Sequence, residues 1–297
     1  MWTELFLKNN LPVAQGIRLA DHTSLGVGGE ASLYSVPDDR PALIRLIAFC
    51  REKQIPFRLL GRGTNLLVSD ALRPQTIIST RKLNRLSKCE TYITAECGVS
   101  LRSLAKFAME QKMIGVAGLF DSPGTVGAAI RGNAGAFGYA MHQYLHSVEV
   151  YDAAKRTVRF LSPEALLFGY RSSALLGMRD VFLLSASFAF PTGAVESELE
   201  KIQKCRTARA SSQPLGIRSC GSVFRRYEGV GAGFYLEKAG CKGLRRGGAQ
   251  ISEKHANFIV NLSDASYDDV SFLIDEARER VYRKFGIWLL PEIERII

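Results

Sequence analysis

Along the apolar and polar positions of the chain, ASLYSVP at 31–37 reads as a strand. Helical spacing follows: Leu43, Leu46, Ile47 and Cys50 share one face, with Asp39 in the capping position and Pro41 in the first turn. IPFRLLG then reads as a strand, completing a β-α-β unit. TIIST (76–80) and YITAECG (92–98) read as further strands. Ser100 caps a helix predicted to run through Met113, with Leu101, Leu104, Ala105 and Ala108 on one face. HSVEVYDAAKRTVRFL (146–161) alternates across a hairpin, and VFLLSASFAF (181–190) reads as a buried strand. Pro191–Gly193 reads as a hinge before a long helix that ends near Arg209. The last third predicts a short strand at SVFRRY, a helix at GFYLEKAG, a strand at NFIVN and a helix from Tyr267 to Phe285. It ends in a hydrophobic strand, IWLLPEIERII.

Two glycine-rich stretches interrupt these patterns. From Gly118 to Gly138 the chain reads GLFDSPGTVGAAIRGNAGAFG, with six glycines and four alanines in 21 residues. Glycine lets main-chain atoms reach a ligand directly, and successive N–H groups in such turns form nests suited to a phosphate or diphosphate. Thr125 and Asn133 add polar edges. A tight structural loop with close helix–strand packing is the alternative. LGRGTNLLVSD (60–70) is the second stretch, a sharp polar turn between two apolar runs. Neither stretch carries the Lys–Ser/Thr pair of a P-loop, and Gly61-Arg62-Gly63-Thr64-Asn65-Leu66 breaks the dinucleotide fingerprint at its third glycine.

With 297 residues and 46% apolar content, the chain suits about two domains with full cores. No apolar run reaches the length of about 18 needed to span a membrane, and MWTELFLKNNLPV has no signal-peptide pattern. The six cysteines show no C-x-x-C pairing and no metal-ligand spacing with the four histidines. They read as reduced thiols in a cytoplasmic protein, and no metal is expected. A net charge of +10 favours anionic partners, either nucleic acid or anionic small molecules. The aromatics are not interleaved with the basic residues as in a stacking platform, which argues against nucleic acid.

Several short motifs carry candidate chemistry. Tyr170 and Arg171 lie in FGYRSS, and an arginine fork can clamp a carboxylate; a surface salt bridge is the alternative. Ser222 and Arg225 lie in RSCGSVFRR, where a lone serine is most often a structural hydroxyl. His255, in GGAQISEKHANFIVN, has no carboxylate at suggestive spacing. Glu292 follows Pro291 in the terminal apolar segment and needs a partner if buried. No G-x-S-x-G elbow is present.

Taken together, SPGTVGAA…NAGAFG, LGRGTNLLVSD, FGYRSS, QP…CGSVF, GGAQISEKHANFIVN and the terminal PE resemble the MurB family of UDP-N-acetylenolpyruvoylglucosamine reductases, in the family's order from about Asp21 to Glu292. The resemblance implies an α+β protein: a two-subdomain FAD-binding fold of the vanillyl-alcohol-oxidase/MurB kind, then a separate α+β substrate-binding domain. The implied boundaries are 1–75 with a returning strand at 288–297, then 76–192, then 193–287. It implies non-covalent FAD, reduced by NADPH. Hydride then passes to the enolpyruvyl double bond of a UDP-sugar in peptidoglycan precursor synthesis, in a cytoplasmic monomer. His22, the only histidine before the cradle, offers no convincing covalent attachment.

Carried over by motif, Gly61, Arg62, Gly63, Thr64, Asn65 and Leu66, with Ser122, Gly124, Thr125, Gly127 and Asn133, would hold FAD. Arg171 would bind the enolpyruvyl carboxylate, Ser222 would protonate the adjacent carbon, and Glu292 would complete the catalytic group. Tyr170 and Arg225 would also meet substrate. The short segment after Arg171 resembles the compact type, without an extra tyrosine-bearing loop. This chain departs from the pattern at Asp121–Ser122, at Arg226–Tyr227 and at Arg246. A different FAD oxidoreductase of the same fold is the alternative within the class.

Overall fold

Side-chain caps at Asp39, Ser100 and Ser266 start three of the α-helices in this computed structural model, which describes residues 2–72 and 75–297. The chain divides into two units. The first comprises Met1–Ala14, Leu33–Gly61 and Thr76–Thr207; the second comprises Gln15–Ser32, Arg62–Gln75 and Ala208–Ile297.

The first unit begins with α1 (Trp2–Lys8) and α2 (Arg40–Glu52). Asp39 Oδ1 accepts from the Ala42 N–H at 2.7 Å, and α2 buries Leu43, Leu46, Ile47 and Cys50. Helix α2 links the strand Leu33–Ser35 to Phe57–Leu60, but these two are not neighbours. Thr76–Ser79 lies between them and pairs parallel with both. A five-stranded antiparallel sheet follows, in the order Thr157–Leu161, Leu145–Asp152, Val181–Phe188, Tyr92–Glu96, Leu86–Cys89. The hairpin read at 146–161 is the pair that edges this sheet, with Val148 opposite Leu161. Helix α3 (Leu101–Glu110) is capped by Ser100 Oγ, which accepts from Ser103 N–H at 3.0 Å. The helix stops three residues short of Met113, which instead bridges Thr192.

Two short helices, α4 (Ala117–Phe120) and α5 (Val126–Arg131), carry the glycine-rich stretch, and α6 (Val195–Ser212) follows. The division between units falls inside α6, after Thr207, and Pro191–Gly193 lies within the first unit. Those residues are strapped to 112–114, through Ile114 N–H to Pro191 O (2.8 Å) and Gly193 N–H to Lys112 O (3.1 Å).

In the second unit, Arg218–Ser222, Phe258–Asn261, Ala249–Ile251 and Arg245–Arg246 form an antiparallel sheet in that order. Helix α7 (Ala232–Lys238) precedes it in part, and α8 (Tyr267–Phe285) packs Val270, Leu273, Ile274, Ala277 and Val281 into the core. A Ser266–Asp269 capping box starts α8, and Gly286 at φ +70° ends it. Glu294–Ile296 pairs parallel with Leu66–Val68.

The strand expected at SVFRRY lies earlier, at Arg218–Ser222. From Phe224 the chain leaves the sheet because a side chain replaces the neighbouring strand. Asn257 Oδ1 accepts from Phe224 N–H and its Nδ2 donates to Phe224 O, both at 2.9 Å.

Candidate functional site

In the first unit Gly61, at the head of the second glycine stretch, meets the first stretch at Thr125. A Cβ built on Gly61 would stand 2.6 Å from Thr125 Oγ1, and Thr125 is itself 1% exposed. Gly124 holds φ +121°, which an L side chain rarely adopts, and its carbonyl accepts from Leu101 N–H at 3.3 Å. The next two amides are committed to the chain: Val126 N–H donates to Val99 O and Gly127 N–H to Cys97 O, both at 2.9 Å. Gly127 is a packing glycine as well, since a Cβ there would lie 2.9 Å from Cys97 Cβ. Burial pushes the Cys97 thiol up to about 12, so it sits under the cradle as a neutral, inert group. Ser122 Oγ closes its own turn by donating to Gly118 O at 2.6 Å. Two hydroxyls on the central parallel strand, Thr76 Oγ1 and Ser79 Oγ, are buried without a hydrogen-bond partner among the described residues. Ser79 is in register with Leu60, so its hydroxyl belongs to the end of the sheet where the Gly61 loop starts.

The segment leading into this cradle is held from α6. Glu198 is fully buried, and its Oε1 accepts from the N–H groups of Gly115, Val116 and Ala117 at 3.0, 2.7 and 2.7 Å. Three amides and Lys201 Nζ at 3.4 Å compensate a carboxylate that would otherwise be costly to bury. Asp121 is gripped by Arg206, with Nε at 2.6 Å from Oδ2, and by Arg102. Burial raises the Asp121 pKa, but the bonds from Arg206 and Arg102 outweigh it and hold the carboxyl below its ordinary range. Both guanidinium groups also lie over the Phe120 ring, 4.9 and 5.5 Å from its centroid. Sequence reasoning noticed Asp121 only as a departure and missed Glu198 altogether. Their partners are remote in sequence and leave no local signal.

Arg171 stands at the tip of a turn in the same unit. Gly169 and Ser172 exchange both main-chain bonds, at 3.1 and 3.3 Å, and Arg171 Nη1 donates to Gly135 O at 3.1 Å. Tyr170 beside it is exposed, and the guanidinium lies 5.7 Å from its ring centroid. Asn133 is buried, and both ends of its amide are used inside the unit, on Gly169 O and on His142. The Asn133 side chain is therefore committed within the unit.

In the second unit, Gly63 holds φ +63° and packs its Cα against the carbonyl of His22, leaving no room for a side chain. Arg62 and Asn65 are exposed, and Thr64 and Leu66 are half-buried. Asn65 Nδ2 donates to Glu292 O at 2.9 Å, and Glu294 N–H returns to Asn65 O at 3.0 Å. The polar turn and the Glu292 backbone are thus one piece. Glu292 N–H also donates to Val223 O at 2.7 Å, which sets Glu292 beside the residue that follows Ser222.

Ser222 ends its strand on an irregularity. The register against Phe258–Asn261 shifts between Ser219 and Ser222, and Gly221 takes φ +76°. Such a bulge re-aims the side chain that follows it. Cys220, two residues earlier, is pushed up to about 12, first by burial and further by the Glu292 charge. Arg225 Nε is a buried donor with no partner among the described residues. His255 is half-buried, its pKa is lowered chiefly by burial, and its Nδ1 accepts from Asn257 N–H at 3.1 Å. It braces the Asn257 side chain that holds Phe224. No cluster of His, Cys, Asp and Glu suited to a metal occurs among the described residues.

Comparison with known proteins agrees along the whole chain. Residues 31–161 match the FAD binding domain family, and residues 213–296 match the family described as UDP-N-acetylenolpyruvoylglucosamine reductase, C-terminal domain. A UDP-N-acetylenolpyruvoylglucosamine reductase of Caldanaerobacter subterraneus is 39% identical over 273 residues, covering 92% of this chain and 90% of its own. One from Synechococcus is 40% identical over 283 residues, covering 95% and 90%. The crystal structure of the reductase from Thermus caldophilus superposes with a TM-score of 0.82 at 32% identity, covering 97% of this chain and 100% of that one. This α+β chain belongs to the UDP-N-acetylenolpyruvoylglucosamine reductase (MurB) family.

Proposed function

We propose that this protein reduces the enolpyruvyl ether of UDP-N-acetylglucosamine enolpyruvate to UDP-N-acetylmuramate, with NADPH as reductant. The observation that carries the reading is full-length membership of the family with Arg171, Ser222 and Glu292 all present.

The cofactor is FAD, in keeping with the match over residues 31–161. The residues fit it. Gly61 and Gly124 are positions where a side chain cannot stand, and the Ser79 hydroxyl is a buried donor awaiting an acceptor. Backbone from Gly61 to Leu66 and from Ser122 to Thr125 would hold the diphosphate and ribityl chain, with Gly127 packing beneath it. FAD held there would supply the hydride-transfer chemistry that links NADPH to the enol double bond.

The chain's own side chains then manage charge and protons. Hydride addition to the terminal methylene leaves the electron pair on the α-carbon as an aci-carboxylate, and the Arg171 fork stabilises that charge as it develops. Ser222 Oγ–H donates the proton to the α-carbon, and the bulge at Gly221 aims it. Glu292, whose backbone N–H is anchored on Val223 O, completes the catalytic group beside Ser222. Arg225, whose Nε is a buried donor, and the exposed Tyr170 meet the anionic substrate. We assign residues 1–75 and 288–297, with 76–192, to the cofactor and 193–287 to the substrate. The protein acts as a cytoplasmic monomer; none of its six cysteines is in a disulfide, and no helix among the described residues is long and apolar enough to cross a membrane.

The test is turnover of the enolpyruvyl sugar nucleotide by the purified yellow protein with NADPH. Reduction of other enoates in preference to this substrate would move the protein to a different reaction on the same fold.

A further inference from the structure

Arg171 is strained. Gly169, Tyr170, Arg171 and Ser172 form a reverse turn in which Ser172 N–H donates to Gly169 O, and Arg171, third in the turn, has φ +52°. A positive φ at that position is the property of a type II turn, where glycine or asparagine normally stands because Cβ opposes it. A backbone outlier of this kind persists only when its surroundings over-determine it.

The surroundings are a short relay. Asn133 Nδ2 donates to Gly169 O at 2.8 Å, the same carbonyl that closes the turn. With Nδ2 so placed, Asn133 Oδ1 faces His142 Nδ1 at 3.0 Å, so that nitrogen carries the proton. The His142 ring in turn stacks on Phe168, the residue before the turn, with centroids 5.6 Å apart and planes at 29°. Ser173 Oγ, just past the turn, donates to Arg131 O at 2.7 Å. The relay therefore grips the turn before, at and after the arginine.

We propose that Asn133 and His142 are positioning residues for Arg171, fixing the strained turn so that its guanidinium meets the substrate carboxylate. The proposal rests on the reading of Arg171 as the carboxylate clamp. It gives Asn133 a role in substrate reduction and none in holding FAD by its side chain.

Asn133→Asp is the sharpest test. Aspartate keeps the size, tolerates the positive φ of Asn133 (+42°) and still accepts from His142, but it sets a carboxylate oxygen against Gly169 O. FAD affinity and the rate of flavin reduction by NADPH should stay within about twofold of wild type, while reoxidation by the enolpyruvyl substrate should slow by about 10- to 100-fold, the cost range of losing a buried hydrogen-bond partner. In an Arg171→Lys background the same substitution should add less than about threefold, because residues acting through one another are non-additive. His142 is exposed, so His142→Ala probes the relay without disturbing a buried position, with a slowing of about 3- to 10-fold in reoxidation alone.

A loss of FAD affinity as large as the loss in reoxidation would overturn the proposal and return Asn133 to the cofactor. So would full additivity with Arg171→Lys, or unaltered reoxidation in both Asn133→Asp and His142→Ala. If Arg171→Lys alone keeps wild-type reoxidation, the parent reading of the clamp fails instead.

Discussion

Gly61 and Thr125 touch: a Cβ on Gly61 would come within 2.6 Å of the Thr125 hydroxyl oxygen. Gly61 therefore packs directly on the first glycine stretch, though 64 positions separate these residues in the chain. Thr125 is 1% exposed and has no room to retreat. Gly61→Ala should cost about 1–3 kcal/mol, the usual range for overpacking, and weaken FAD. Thr125→Ala removes the two nearest atoms and leaves the threonine Cβ position at 3.6 Å, so the double variant should recover stability. Thermal unfolding and FAD fluorescence titration of both single variants and the pair measure the coupling. Simple additivity would show that the contact does not shape the cradle.

Arg171→Lys tests the carboxylate clamp. Lysine keeps the charge but loses the planar fork and the bond to Gly135 O. Turnover should fall by the equivalent of about 2–5 kcal/mol with near-normal FAD content. Wild-type kinetics in this variant would remove Arg171 from the reaction.

These residues could be picked out in the sequence because their chemistry is local, whereas their supports are not. The caps at Asp39 and Ser100 and the helix Tyr267–Phe285 were legible, since each depends on residues within a few positions. The Arg218–Ser222 strand was shifted to SVFRRY, because it is Asn257, 33 residues from Phe224, that takes the place of a neighbouring strand. Glu198 was lost within a polar helix, as its three amide donors lie more than 80 positions away. FGYRSS was singled out, but nothing in the string announces a positive φ at its arginine.

The Asp121 clamp predicts a pH dependence. Its folded pKa lies below the ordinary value of 3.8, because Arg206 and Arg102 together outweigh burial. A depressed carboxyl stabilises the fold above its unfolded pKa, and that contribution is lost as pH falls through the lower folded value. Asp121→Asn should therefore lower Tm near neutral pH, and the gap to wild type should close in acid below 3.8. High salt should narrow the gap too, since the arginines are partly exposed. A gap that does not change with pH would mean that packing on Phe120, not charge, is what Asp121 provides.

Ser222 separates the two halves of the proposed reaction. Flavin reduction by NADPH needs no proton from Ser222, but protonation of the α-carbon does. Ser222→Ala should leave reduction nearly unchanged and slow reoxidation by substrate by about 10²–10⁴, the range for a positioned acid. Ser222→Cys should retain part of the rate, because a thiol can also donate. The bulge makes a second, independent demand. Gly221 at φ +76° has nothing within 4 Å of a built Cβ, so Gly221→Ala meets backbone strain and no clash. That strain is about 1–2 kcal/mol, and relieving it would flatten the bulge and turn the Ser222 hydroxyl away. Gly221→Ala should thus mimic Ser222→Ala in stopped-flow traces, slowing reoxidation while reduction keeps its rate. If Ser222→Ala slows both halves equally, or neither, Ser222 is a structural hydroxyl and the proton comes from elsewhere.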